Sequence, residues 1–141
     1  MFVTVPCTAC GARNRADLGR LAQHPRCGSC RAPLPLGRPV PVDAAAFDQV
    51  VAGAEAPVLV DFYADWCGPC RIVGPVVEEL ARARADSVLV LKVDTDRTPA
   101  LSERFGIRGI PTLIAFRDGR EIGRHVGIAS RAQLDALVGV R

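Results

Sequence analysis

Two apolar runs constrain this chain more than any other feature. PVLVDFYA, residues 57–64, and SVLVLKVD, residues 87–94, read as strands of the kind buried on both faces of a sheet. Helical signals fill the interval from about Cys67 to Arg84, interrupted by Pro75, which removes a backbone hydrogen bond and kinks a helix. Upstream, VDAAAFDQVVAG has Phe47, Val50 and Val51 on one side of a helix and Gly53 as a stop. Downstream, TPALSERFG predicts a short helix with Thr98 as N-cap and Gly106 as stop. PTLIAFRDGREIGRHVG predicts a β-hairpin turning at Asp118-Gly119. SRAQLDALVGV closes the chain as an amphipathic helix capped by Ser130. From about residue 40, the pattern is that of an α/β domain.

The segment before it is different. Residues 1–36 hold few large apolar side chains, among them Phe2, Val3, Val5, Leu18, Leu21, Leu34 and Leu36. A piece this short does not bury enough surface to fold unaided. It carries four of the six cysteines, as Cys7-x2-Cys10 and, after sixteen intervening residues, Cys27-x2-Cys30. That is the four-cysteine zinc-ribbon spacing. Each CxxC is a tight knuckle that turns two sulfurs toward one ion, and two knuckles complete a tetrahedron. Gly11 follows the first knuckle and Gly28 lies inside the second, where a chain wrapping a metal needs positive φ. Bound zinc then supplies folding free energy on the order of 10 kcal/mol. Four thiolates leave no open coordination position, so the expected site is structural, with one zinc per chain. Two disulfides or four free thiols are the alternative. Asp17 and His24 are further ligand types in the segment, and His24 reads as an exposed loop residue. PLPLGRPVPV follows as a stiff arm, which suggests a zinc-binding domain at 1–36, a Pro-rich linker at 37–42 and a second domain at 43–141.

The third CxxC has another setting. Cys67 and Cys70 follow a buried-type strand and open a helix, where free backbone N–H groups and the helix dipole favour an anion. Such a position lowers a thiol pKa, and the thiolate is the attacking species. Cys70 stands one turn further in, placed to attack the mixed disulfide that Cys67 forms. Pro69 suits the first turn of a helix. Asp61 interrupts the preceding apolar strand. If buried, its pKa rises and it is fit to take a proton from Cys70; a solvated strand end is the plainer reading. Lys92, the single lysine among eighteen basic residues, is likewise a charge in a buried-type strand, and a neighbouring Lys–Asp pair accommodates both.

Residues 57–75, PVLVDFYADWCGPCRIVGP, and 106–119, GIRGIPTLIAFRDG, strongly resemble the thioredoxin family, and the likeness extends over roughly residues 40–141. The four-cysteine extension resembles that of the zinc-containing bacterial thioredoxin 2 type. The resemblance implies a thioredoxin fold, a mixed five-stranded sheet flanked by four helices, with a small zinc-ribbon-like domain before it. It implies Cys67 as nucleophile and Cys70 as resolving thiol, Asp61 as the buried acid and Lys92 as the basic residue beside it. Pro111 matches a proline preceded by a cis peptide bond. Trp66, Gly68, Pro69, Gly109, Ile110, Val126 and Gly127 match the surface on which substrate proteins dock. Tyr63 departs from the family, which commonly has Trp there.

The implied function is protein-disulfide reduction, recycled by thioredoxin reductase, an NADPH-dependent flavoenzyme. No Gly-rich dinucleotide loop occurs, so no organic cofactor is expected on this chain. The alternative is a redox-responsive binding module whose zinc ribbon docks a partner protein. Residues 1–38 hold six Arg and one acid, a net of +5, against −2 for the remainder. Four thiolates on a divalent metal reduce that basic face to about +3, and no aromatics interleave the arginines, which argues against nucleic acid. Apolar residues at 49% and charged residues at 23% indicate a globular chain. No apolar run is long enough for a bilayer, and MFVTVPCTAC is not a secretory signal. A cytoplasmic monomer is therefore expected, in a compartment where CxxC pairs are catalytic or metal-binding.

Overall fold

The computed structural model describes residues 2–17 and 23–139. Leu18, Arg20 and Leu21 of the N-terminal segment lie outside the described residues, as do the last two residues of the chain. The first strands, β1 (Phe2–Pro6) and β2 (Arg13–Asp17), form an antiparallel hairpin with Pro6 opposite Arg13. The first CxxC turn joins them. The second is closed by a bridge between Arg26 and Pro33.

A five-stranded sheet forms the rest of the scaffold, in the order β3-β5-β4-β6-β7. Its strands are β3 (Val40–Pro41), β4 (Val58–Tyr63), β5 (Leu89–Asp94), β6 (Thr112–Arg117) and β7 (Arg120–Val126). The pairs β3/β5 and β4/β5 are parallel, while β4/β6 and β6/β7 are antiparallel. With α1 (Ala44–Gly53), α2 (Gly68–Ala83), α3 (Pro99–Arg104) and α4 (Arg131–Leu137), this is a thioredoxin fold, a mixed sheet with four helices. The Pro-rich arm contributes β3, which lies at the sheet edge, the place where a strand tolerates proline.

The alternation of strand side chains divides the core. Val58, Val60 and Phe62 face one cluster, with Phe47 of α1 and Leu101 of α3. Leu59, Val90 and Leu113 face the other, with Val73 and Val77 of α2 and Leu134 of α4. Asp61 and Lys92 therefore project from the α2 face of the sheet. Val5 of β1 is fully buried in the α1-side cluster, beside Val50 and Val51. The N-terminal hairpin thus shares the main core. A Cβ on Gly53, the last residue of α1, would lie 3.0 Å from Pro6 Cγ, so this glycine allows the close approach of β1.

Several local expectations hold. Asp118 and Gly119 both take positive φ at the β6–β7 turn, as a two-residue turn demands. Ser130 caps α4 in a reciprocal capping box with Gln133. Pro75 stands inside α2, which continues to Ala83. Two expectations need correction. Thr98 occupies the N-cap position of α3, but its side chain makes no capping hydrogen bond. Gly28 does not have positive φ; in the second knuckle that role falls to Arg31, at φ 67, the counterpart of Gly11 at φ 78.

Candidate functional site

At the start of α2 the chain turns from the buried strand β4 into a helix with Pro at its first turn. Cys67 is the N-cap, and its Sγ accepts the Cys70 N–H at 3.2 Å. This is the capping geometry that stabilises a thiolate at a helix N-terminus. Cys67 and Cys70 are joined by a disulfide. Both are buried, in a small cluster with Ala64 and the flanking Tyr63 and Ile110. The Ile110–Pro111 peptide bond is cis, and the Ile110 carbonyl oxygen lies 3.7 Å from Cys67 Sγ.

Asp61 is 3% exposed on the α2 face of the sheet, which decides against a solvated strand end. Its Oδ1 has no hydrogen-bond partner within the protein. Desolvation pushes its carboxyl up to about 6, with the Lys92 charge pulling it back. Lys92 is its register neighbour on β5, but its Nζ lies 4.5 Å from the centre of the Tyr63 ring, a cation–π contact.

Of the residues that the family resemblance matches to a docking surface, Ile110 packs against the pair. Trp66 is 69% exposed, and its indole Nε1 donates to Asp96 Oδ2 at 2.8 Å. Gly68 and Pro69 are exposed, and Gly109, Ile110 and Gly127 are half-buried. Gly127 N–H donates to the Pro111 carbonyl at 2.8 Å, tying the end of β7 to the proline loop. Ile72 and Ile128 are exposed as well, large apolar side chains on α2 and just past Val126. Sequence reading missed both, because an apolar residue at a helix or loop position looks like core until its neighbours are known.

The other four cysteines converge. Cys7, Cys10, Cys27 and Cys30 place their Sγ atoms within 4.8 Å of one another, with Cys7–Cys30 and Cys10–Cys27 each at 3.6 Å. Those separations are too long for disulfides. They match the ~3.8 Å edges of a tetrahedron with metal–sulfur bonds of about 2.3 Å. The knuckles also aim donors at sulfur: Ala9 N–H at Cys7 Sγ, Ser29 N–H and the Asn14 amide at Cys27 Sγ. Hydrogen bonds from the Cys30 N–H, the Asn14 amide and the Ser29 N–H favour the Cys27 thiolate. The four residues are therefore positioned to bind a metal ion. His24 is exposed and is not in the cluster, and neither is Asp17.

Among the described residues, no helix is long and apolar enough to cross a membrane. Residues 38–139 match the model of the Thioredoxin family. Thioredoxin C-3 of Corynebacterium nephridii is 37% identical over 131 residues, covering 92% of this chain and 89% of that protein. Thioredoxin 1 of Synechococcus elongatus is 49% identical over 90 residues, covering 64% of this chain and 84% of that protein. Among solved structures, a mutant thioredoxin from Halobacterium salinarum NRC-1 superposes with a TM-score of 0.66 at 36% identity, covering 74% of this chain and 95% of that one.

Proposed function

The chain belongs to the thioredoxin family, and on that footing we propose that it is a protein-disulfide reductase working through Cys67 and Cys70. The observation that carries this reading is Cys67 at the N-cap of α2, its sulfur bonded to the Cys70 N–H and disulfide-linked to Cys70. In the reduced protein, the Cys67 thiolate attacks one sulfur of a target disulfide. That bond breaks, a Cys67–target disulfide forms, and the departing target sulfur takes up a proton. Asp61, buried below and poised near neutrality, accepts the Cys70 proton as Cys70 attacks Cys67 Sγ. The second target thiol leaves, and the Cys67–Cys70 disulfide remains. Two electrons have passed to the target. Thioredoxin reductase restores the dithiol with electrons from NADPH.

Lys92 tunes Asp61 from the neighbouring strand. Pro111 and the Ile110 carbonyl line the approach to Cys67. Trp66, Gly68, Pro69, Gly109, Ile110, Val126 and Gly127 form the docking face. Cys7, Cys10, Cys27 and Cys30, whose sulfurs lie within 4.8 Å of one another, would hold a zinc ion in a structural role, since four thiolates would fill a tetrahedral coordination. The cytoplasm, where thiols stay reduced, is the compartment that suits both cysteine sites. The test is reduction of a disulfide protein with NADPH and a thioredoxin reductase. Wild type turns over and Cys67→Ser does not; an inactive wild type with its dithiol intact overturns the reading.

A further inference from the structure

His125, near the end of β7, has no part in the thiol chemistry. Its Nε2 lies 3.0 Å from the Ile128 carbonyl oxygen. A carbonyl only accepts, so Nε2 carries the hydrogen of this bond. The bond closes the loop His125–Ile128, which is tied down at other points too. Val126 faces Thr112 across the ladder, and Gly127 N–H bonds the Pro111 carbonyl. Val126 Cγ1 sits so close over Gly109 that a Cβ there would be 3.3 Å away. Gly127, at φ +93, makes the bend that a side-chain-bearing residue would resist. On either side of it, Val126 is 61% and Ile128 53% exposed. Among the described residues, His125 is the only side chain bonded to the backbone of residues 126–129.

We propose that His125 is a positioning residue for protein substrates. Through the Ile128 carbonyl it holds Val126 and Ile128 as a preformed apolar step, joined by the Gly127–Pro111 bond to the wall of the cysteine site. The occupant is the polypeptide on either side of a target disulfide, with apolar side chains against the step. This inference rests on the reductase reading. A loop already ordered loses less freedom when a target binds, so removing the tie weakens docking and leaves the sulfur chemistry alone. A small disulfide, which meets only Cys67, does not use the step.

The test is single-turnover oxidation of the pre-reduced full chain by insulin and by dithionitrobenzoate, a small aromatic disulfide. Wild type, His125→Ala and His125→Gln are compared. For His125→Ala, the insulin half-saturation concentration is expected to rise roughly three- to tenfold, with the limiting rate within about twofold. The dithionitrobenzoate rate stays within about twofold, and His125→Gln, which keeps an N–H donor, recovers most of the insulin loss. Equal slowing with both disulfides, or no change with insulin, overturns the inference. A wild type that reduces neither compound overturns the reductase reading beneath it.

Discussion

Asp61 and Lys92 face each other across the β4–β5 ladder, yet Asp61 Oδ1 is without a partner and Lys92 Nζ rests over the Tyr63 ring. Burial therefore outweighs the neighbouring charge at Asp61, and its carboxyl titrates at about 6. An aspartate in the unfolded chain titrates near ~3.9.

Stability should record that difference. Below about pH 4 both states carry the proton and Asp61 costs nothing. As pH rises from about 4 to about 6 the unfolded chain ionises first, so stability falls, by about 3 kcal/mol in all. Above about pH 6 the loss is constant. Asp61→Asn in the oxidised protein is expected to be more stable than wild type by roughly 1–3 kcal/mol at pH 7, with the gain gone at pH 4. Urea unfolding at the two pH values checks it. An unchanged or lower stability at pH 7 contradicts an unpaired buried carboxylate.

The same substitution should slow the chemistry it stabilises the protein against. Without the acceptor for the Cys70 proton, turnover of a protein disulfide at pH 7 falls by on the order of 10–100-fold. The deficit narrows as pH rises, where hydroxide takes over as the acceptor of the thiol proton. A pH–rate profile for both proteins separates this from a packing defect, which would persist at every pH.

Metal removal should affect stability more than reduction. Cys27→Ser is expected to retain well under one zinc per chain, against one in wild type, by elemental analysis of protein purified without chelator. Its thermal midpoint falls, because the hairpin shares a core with α1. Its dithionitrobenzoate rate stays within about twofold of wild type. The hairpin docks at Gly53, the end of α1 that leads into β4. Cys67 lies beyond the other end of that strand, about 20 Å away. A large loss of rate would show that the two sites are coupled.

Val5→Ala tests the shared core directly. It removes two buried methyl groups from the cluster of Phe47, Val50 and Val51, at a cost of about 1–3 kcal/mol. Unfolding should remain a single transition. Two separable transitions, with the larger unmoved, would mean that the hairpin folds on its own.

Much of this was legible in sequence where one local signal dominates. The apolar runs at 57–64 and 87–94 became β4 and β5, Asp118-Gly119 became the β6–β7 turn, and the four cysteines converged. What stayed hidden depends on partners far along the chain. Val40–Pro41 reads as linker because a two-residue edge strand has no pattern of its own and exists only beside Leu91 and Lys92. Val5 looks like part of a poor small core until α1 is packed against it. The plainer reading of Asp61 gave way because burial on the α2 face follows from strand pairing, which periodicity alone does not report. Arg31 took the positive φ expected of Gly28, since the hydrogen bonds of the knuckle, Arg31 N–H to Cys27 O and Cys27 N–H to Ala32 O, set that position regardless of residue type.

The central claim is that, of three CxxC pairs, only the one at the head of α2 exchanges electrons, with Cys67 attacking. Cys70→Ser removes the resolving thiol and should stop the reaction at the mixed disulfide. Incubated with a disulfide peptide and mapped by mass spectrometry, this variant is predicted to carry one peptide, on Cys67. Adducts on Cys7, Cys10, Cys27 or Cys30 in place of Cys67, or a Cys67 that takes up none, would contradict the account.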